Sequence, residues 1–221
     1  MESIFKEEII SEKKYVHPAF KWPASFFSYV FHPIFVPLYA IAFLVYIHPS
    51  YFTGFSAKTK LYAILISAYN LIFYPLLSII LLKALGFIDS VFLRTRKDRI
   101  IPYMACGIFF FWAYTVFKKQ EMYPPIMASF ILGIFLAASA GLIANIYYKI
   151  SMHAIGMGGW LGLFWVVAQS NTMLMTWPLA LVLLCTGIVC TARLLITDHT
   201  EKDIYSGLVI GFLCQWVASV V

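Results

Sequence analysis

"PPIMASFILGIFLAASAGLIANIYY", residues 124–148, runs for twenty-five residues without one charged side chain. At a rise of about 1.5 Å per residue, such a stretch is long enough to cross the roughly 30 Å hydrocarbon core of a bilayer as a helix. Its apolar residues are continuous rather than alternating, which argues against a barrel strand. Similar runs extend outward on both sides, near 26–48, 60–83, 100–117, 153–170, 173–195 and 203–221. In lipid every backbone polar group must be satisfied within the protein, so long apolar runs become helices. The expected fold class is therefore all-α: a polytopic transmembrane helix bundle of about six or seven spans. Residues 1–24 form a polar N-terminal tail and 25–221 the transmembrane domain. The polar pair Ser170-Asn171 reads as a turn separating two spans.

Composition agrees. Hydrophobic residues make up 62% of the 221 positions and charged residues only 12%, with a mean hydropathy of +0.85. Sixteen basic and ten acidic side chains cannot clothe a soluble domain of this length. Membrane lipids are the expected surroundings. The opening "MESIFKEEIISEKKYVHPAFKWPASFF" mixes charges and is followed by no small-residue cleavage site, so it is not read as a signal peptide. The basic excess lies at span ends, where orientation in the membrane and the anionic lipid surface account for it; no nucleic-acid module is visible. Cys106, Cys185, Cys190 and Cys214 fall inside spans without metal-type spacing and read as packing residues. Gly158-x-x-x-Gly162 and Gly207-x-x-x-Gly211 read as close helix contacts.

Polar residues gather at one end of this bundle. With alternating spans, "LGFIDSVFLRTRKDR" (85–99), "YYKISMH" (147–153) and "TDHTEKD" (197–203) come to the same face. They bring Arg94, Arg96, Lys97, Arg99, Ser151, His153, Arg193, His199 and Asp203 within reach of one another. Ionisable groups at a bilayer edge are costly unless solvated, paired or used. Histidines, guanidinium groups and a hydroxyl suit phosphoryl transfer, in which a neutral imidazole attacks phosphorus while fixed positive charge holds the non-bridging oxygens. Asp203 stands one helical turn after His199, where a carboxylate fixes the imidazole tautomer and steadies its developing charge. Thr200-x-x-Asp203 before an apolar run also reads as a capping box.

The order Arg193, five residues, His199, three residues, Asp203 resembles the third signature of the type 2 phosphatidic acid phosphatase superfamily. Ser151 and His153 answer its second signature, with Ile150 and Met152 where the family has proline and glycine. "RTRKDRIIP" (94–102) echoes the first, with two residues between Arg99 and Pro102 and Phe92 at the lysine position. The resemblance covers about residues 94–207. It implies His199 as the nucleophile that forms a phosphohistidine, Asp203 as its orienting partner and His153 as the acid to the leaving group. It further implies that Arg193, Ser151 and Arg99 hold phosphate, with Arg96 or Lys97 supplying a remaining positive contact. No metal and no cofactor are implied. The substrate would be a lipid phosphate or an isoprenyl diphosphate.

Two other classes use the same residues. A metal-dependent hydrolase would draw on His153, His199, Asp198 and Asp203; a transporter or non-catalytic membrane subunit would keep the charges along a substrate path. His17, His32 and His48 each precede proline and read as helix boundaries rather than ligands. Asn70, Asn145 and Gln215 read as interhelical hydrogen-bonding residues. Twelve basic residues fall on the face that carries the site, against Lys58, Lys60, Lys118 and Lys119 opposite. That bias predicts a site facing the cytoplasm of a bacterial inner membrane.

Overall fold

A computed structural model describes residues 17–91, 93, 95–197 and 199–221. Phe92, Arg94, Asp198 and the tail up to residue 16, with Lys6, Lys13 and Lys14, lie outside the described residues. The described chain is helical: α1 Pro18–Val30, α2 Val36–Ile47 and α3 Ala57–Ala84, α4 Arg96–Lys119, α5 Pro125–Tyr147, α6 Met152–Gln169, α7 Thr176–Ile196 and α8 Glu201–Val220. Of these, α3, α4, α5, α7 and α8 are long and apolar enough to cross a membrane. The eighteen-residue α6 packs against α2, α5, α7 and α8 at the middle of the bundle. Ser170-Asn171 is indeed a turn, with Asn171 at φ 52° ending α6 before α7 begins.

The first expected span is not one helix. It breaks at 31–35, and α1 already begins at Pro18, inside the stretch expected to be tail. Pro33 explains the break, since a proline removes a backbone donor and drives the residue before it out of helical geometry. All three His-Pro pairs fold alike. His17, His32 and His48 each accept, at Nδ1, the backbone N–H two residues on, at 3.3 Å. A ring that accepts at Nδ1 is neutral with its proton on Nε2, and His48 uses that proton toward Thr172 Oγ1, 3.3 Å away. This last contact joins the end of α2 to the α6–α7 turn, so both lie at the bundle end opposite the polar cluster.

The glycine pairs set the central crossing. A Cβ at Gly158 would fall on the Leu208 carbonyl, and one at Gly211 on the Ile155 carbonyl; at Gly162 it would come within 2.9 Å of the Phe212 carbonyl. Only hydrogen in place of a side chain lets α6 and α8 approach so closely, and in lipid such backbone contact supplies the van der Waals attraction that holds helices together. Gly207 extends the contact to the helix starts, its Cβ position lying 3.0 Å from the Ser151 carbonyl. Ser129 Oγ on α5 donates to the Ala218 carbonyl at 2.8 Å, tying α5 to α8. Asn145 bridges helices as expected, donating to the Arg96 carbonyl at 2.8 Å. Asn70 does not: it donates to the Ile66 carbonyl of its own helix at 2.8 Å, beside a wide turn at Tyr69–Phe73. The main apolar core, with Leu44, Leu71, Phe117, Met127, Leu163 and Val182, is drawn from α2 to α7. The polar cluster lies apart from it, at the starts of α4, α6 and α8 and the end of α7.

Candidate functional site

The site is organised by a four-residue connector, 148–151, between α5 and α6. Its backbone reaches each neighbouring element in turn. The Lys149 carbonyl accepts from His199 Nδ1 at 3.1 Å, and the Ile150 carbonyl accepts from Arg99 Nη1 at 3.0 Å. The Ser151 N–H donates to the Asp203 carbonyl at 3.3 Å. The Ser151 hydroxyl, fully buried, then caps α6 by accepting from the Ala154 N–H at 3.4 Å. Three helix starts thus converge on one strip of backbone. The aligned dipoles of the three helices favour an anion at their starts.

His199 lies just before the N-cap of α8 and is 9% exposed. Because a carbonyl can only accept, its Nδ1 must carry the proton, which leaves the lone pair on Nε2. Burial and then the charges of Arg99 and Arg193 hold its pKa down to about 4; the Asp203 carboxylate works the other way and Lys149 adds a further downward push. Asp203 Oδ2 stands 3.7 Å from His199 Nδ1. The same oxygen accepts the Thr200 N–H at 2.8 Å while Thr200 Oγ1 accepts the Asp203 N–H at 3.3 Å. The capping box and the carboxylate beside the imidazole are therefore both present, and the closest partner of His199 is a backbone carbonyl that no side-chain pattern could reveal.

Arg99, on the first turn of α4, is buried, with Nε donating to the Leu93 carbonyl at 2.9 Å as well as Nη1 to Ile150. Arg193, on the last turn of α7, has a buried Nε with no hydrogen-bond partner among the described residues. Its charge acts on His199, His153 and His32 alike. His153, on the first turn of α6, has its Nε2 3.0 Å from the Ser28 carbonyl of α1. Here Nε2 carries the proton.

Two expected residues have other employment. Arg96 Nη1 donates at 3.2 Å to both the Ile146 and Tyr147 carbonyls, closing the C-terminus of α5, and Lys97 is exposed. Arg193, Arg99, Ser151, His153, His199 and Asp203 do come together. Sequence reasoning set one residue aside that belongs with them: the His32 ring lies edge-on to His153, centroids 5.3 Å apart. Its proline neighbour marked a helix boundary, and the boundary turned out to be a break that delivers the ring into the cluster. Among the described residues no three histidine, cysteine, aspartate or glutamate side chains converge to hold a metal ion; Asp198 lies outside them. The chain matches no family model, and neither curated proteins nor solved structures yield a match.

Proposed function

We propose that the chain is an integral membrane phosphatase of the type 2 phosphatidic acid phosphatase kind, acting on a lipid phosphate or lipid diphosphate. The observation that carries this reading is the fixing of His199: Nδ1–H is tied to the Lys149 carbonyl with Asp203 alongside, so Nε2 presents its lone pair amid the charges of Arg99 and Arg193. Nε2 attacks phosphorus, and the bond from phosphorus to the leaving oxygen breaks. That oxygen takes a proton from His153. The Ser28 carbonyl engages Nε2–H of that ring, so the neutral ring offers a lone pair at Nδ1, and the proton it delivers is one taken up there from the incoming phosphate monoanion. Water then attacks the phosphohistidine and gives a proton back to His153, releasing phosphate and restoring the His199 lone pair. Throughout, the unpartnered Arg193 Nε-H and the three helix starts stabilise charge on the non-bridging oxygens.

The purified protein in detergent, with chelator present, is expected to release inorganic phosphate from at least one of short-chain phosphatidate, phosphatidylglycerophosphate and an isoprenyl diphosphate. Silence on all three would favour a non-catalytic membrane protein. A chelator that abolishes release would favour the metal-dependent class.

The site faces the cytoplasm in this proposal, because basic residues outside the site still favour that face after Arg96, Arg99 and Arg193 are set aside. In a variant whose four native cysteines are replaced, a cysteine substituted for Ser90 should be shielded from an impermeant thiol reagent in intact cells, and one substituted for Ser170 should react. The reverse labelling would turn the site outward.

A further inference from the structure

The contacts around each imidazole give the cluster an order. His199 is bound to the connector at the Lys149 carbonyl, 3.1 Å away; His153 lies on the first turn of the helix that the connector opens; and His32 packs edge-on against His153, ring centroids 5.3 Å apart. His153 therefore links His199 to His32, and the Arg193 charge reaches all three. If phosphorus sits at His199, the leaving oxygen meets His153, and whatever lies one group further along meets His32.

The chemistry available at that third position is narrow. His32 Nδ1 is occupied by the Ile34 N–H at 3.3 Å, so its proton is on Nε2, the nitrogen that His48, in the same His-Pro turn, turns toward a neighbouring oxygen. It is a neutral donor beside a guanidinium, suited to a phosphate oxygen rather than to an acyl chain. In a lipid monophosphate the leaving group is an alcohol, and the tail begins directly after the leaving oxygen. In a lipid diphosphate the leaving group is itself a phosphate, with further oxygens one bond beyond.

Resting on the phosphatase reading above, we propose that His32, delivered by the break between α1 and α2, is a specificity-determining residue that donates from Nε2 to the leaving phosphate of a lipid diphosphate. The reacting phosphate is held by Arg99, Arg193 and the helix starts, and His32 grips the portion that departs with the lipid. As that phosphate leaves it accepts the His153 proton on its bridging oxygen, while the hydrogen bond from His32 offsets charge on its remaining oxygens.

Three proteins compared on two substrates test this. Wild type, His32→Phe and His32→Gln are assayed on an isoprenyl diphosphate and on the matching isoprenyl monophosphate, with thermal unfolding in detergent as the check on folding. The phenylalanine variant keeps a ring but has no donor, and should lose about ten- to a hundredfold in kcat/KM on the diphosphate, the usual worth of a hydrogen bond to a charged group. Its loss on the monophosphate should be no more than about threefold. Glutamine places an amide N–H near the ε position and should recover most of the diphosphate activity. Equal losses on both substrates, or a glutamine variant no better than phenylalanine, would overturn the assignment of His32 and leave the phosphatase reading standing. Wild type inactive on both would overturn the assignment of His32, and the phosphatase reading would fall with it only if phosphatidate and phosphatidylglycerophosphate were also left intact.

Discussion

Replacing His199 with alanine is expected to lower phosphate release by at least about 10⁴-fold, roughly 5 kcal/mol of lost transition-state stabilisation. It should also abolish any acid-labile phosphoenzyme. The size follows from the role. Without Nε2 no covalent intermediate forms, whereas loss of a positioning contact leaves the same route open at lower rate. His153→Ala should behave differently, still forming some phosphoenzyme when the leaving group is good. The ground state of His199 can be checked separately. Its depressed pKa means that the neutral ring persists where an ordinary histidine, near 6.5, would already be protonated; charge arrives only near pH 4. Nitrogen NMR of labelled imidazoles in detergent should show a ring protonated at Nδ1, as the Lys149 carbonyl requires, with a titration midpoint well below 6. Arg99→Gln should raise that midpoint by removing the cation with the largest effect on the ring. A ring protonated at Nε2 and titrating near 6.5 would contradict the mechanism, as would near-normal turnover by a folded His199→Ala variant.

The second large effect is expected along the α6–α8 crossing rather than at a residue of the polar cluster. Gly211→Leu places a branched side chain where the Ile155 carbonyl already sits, so α6 and α8 must part. Overpacking of this kind costs about 1–3 kcal/mol or more, and the melting temperature in detergent should fall by several degrees, on the order expected for a chain this size. Activity should fall further than stability, by about a hundredfold, because the α6–α8 crossing sets the separation of Ser151 and His153 from His199, and a displacement of about 1 Å costs that much. Gly187→Leu is the control. A Cβ there meets nothing within 4 Å, and both readouts should stay near wild type. If Gly211→Leu melts and turns over like the parent, the crossing does not position the site.

What sequence could and could not reveal divides along a physical line. Long apolar runs specify helices because lipid offers the backbone no alternative, so α3 to α8 were legible to within a few residues at most ends. The glycine pairs were legible for the same kind of reason, as spacing that only a close crossing uses. The spacing of Arg193, His199 and Asp203 was legible because it is local to one helix end and the next helix start. The break at 31–35 was half legible. His32-Pro33 signalled an end to helix, but hydropathy ran on through it and merged two elements into one span. Arg96 could not be told from Lys97 by sequence, since both stand on one helical turn; the fold gives Arg96 the carbonyls of Ile146 and Tyr147 and exposes Lys97, while the buried Arg99 turns to those of Leu93 and Ile150. Main-chain acceptors carry no letter, and much of this site is held by them.

That last property has a consequence for how such a chain can vary. The connector 148–151 meets His199, Arg99 and Asp203 through successive main-chain atoms of Lys149, Ile150 and Ser151. Of its side chains, Ile150 fills the adjoining apolar cluster, Ser151 caps α6, the Lys149 charge reaches His199 and the Tyr148 ring lies 5.3 Å under the Lys202 ammonium. Exchange of one letter for another at Lys149 leaves those bonds in place, whereas one residue inserted or deleted would shift all of them at once by about 3.3 Å, the advance of extended chain per residue. The segment behaves as a ruler: tolerant in composition, intolerant in length.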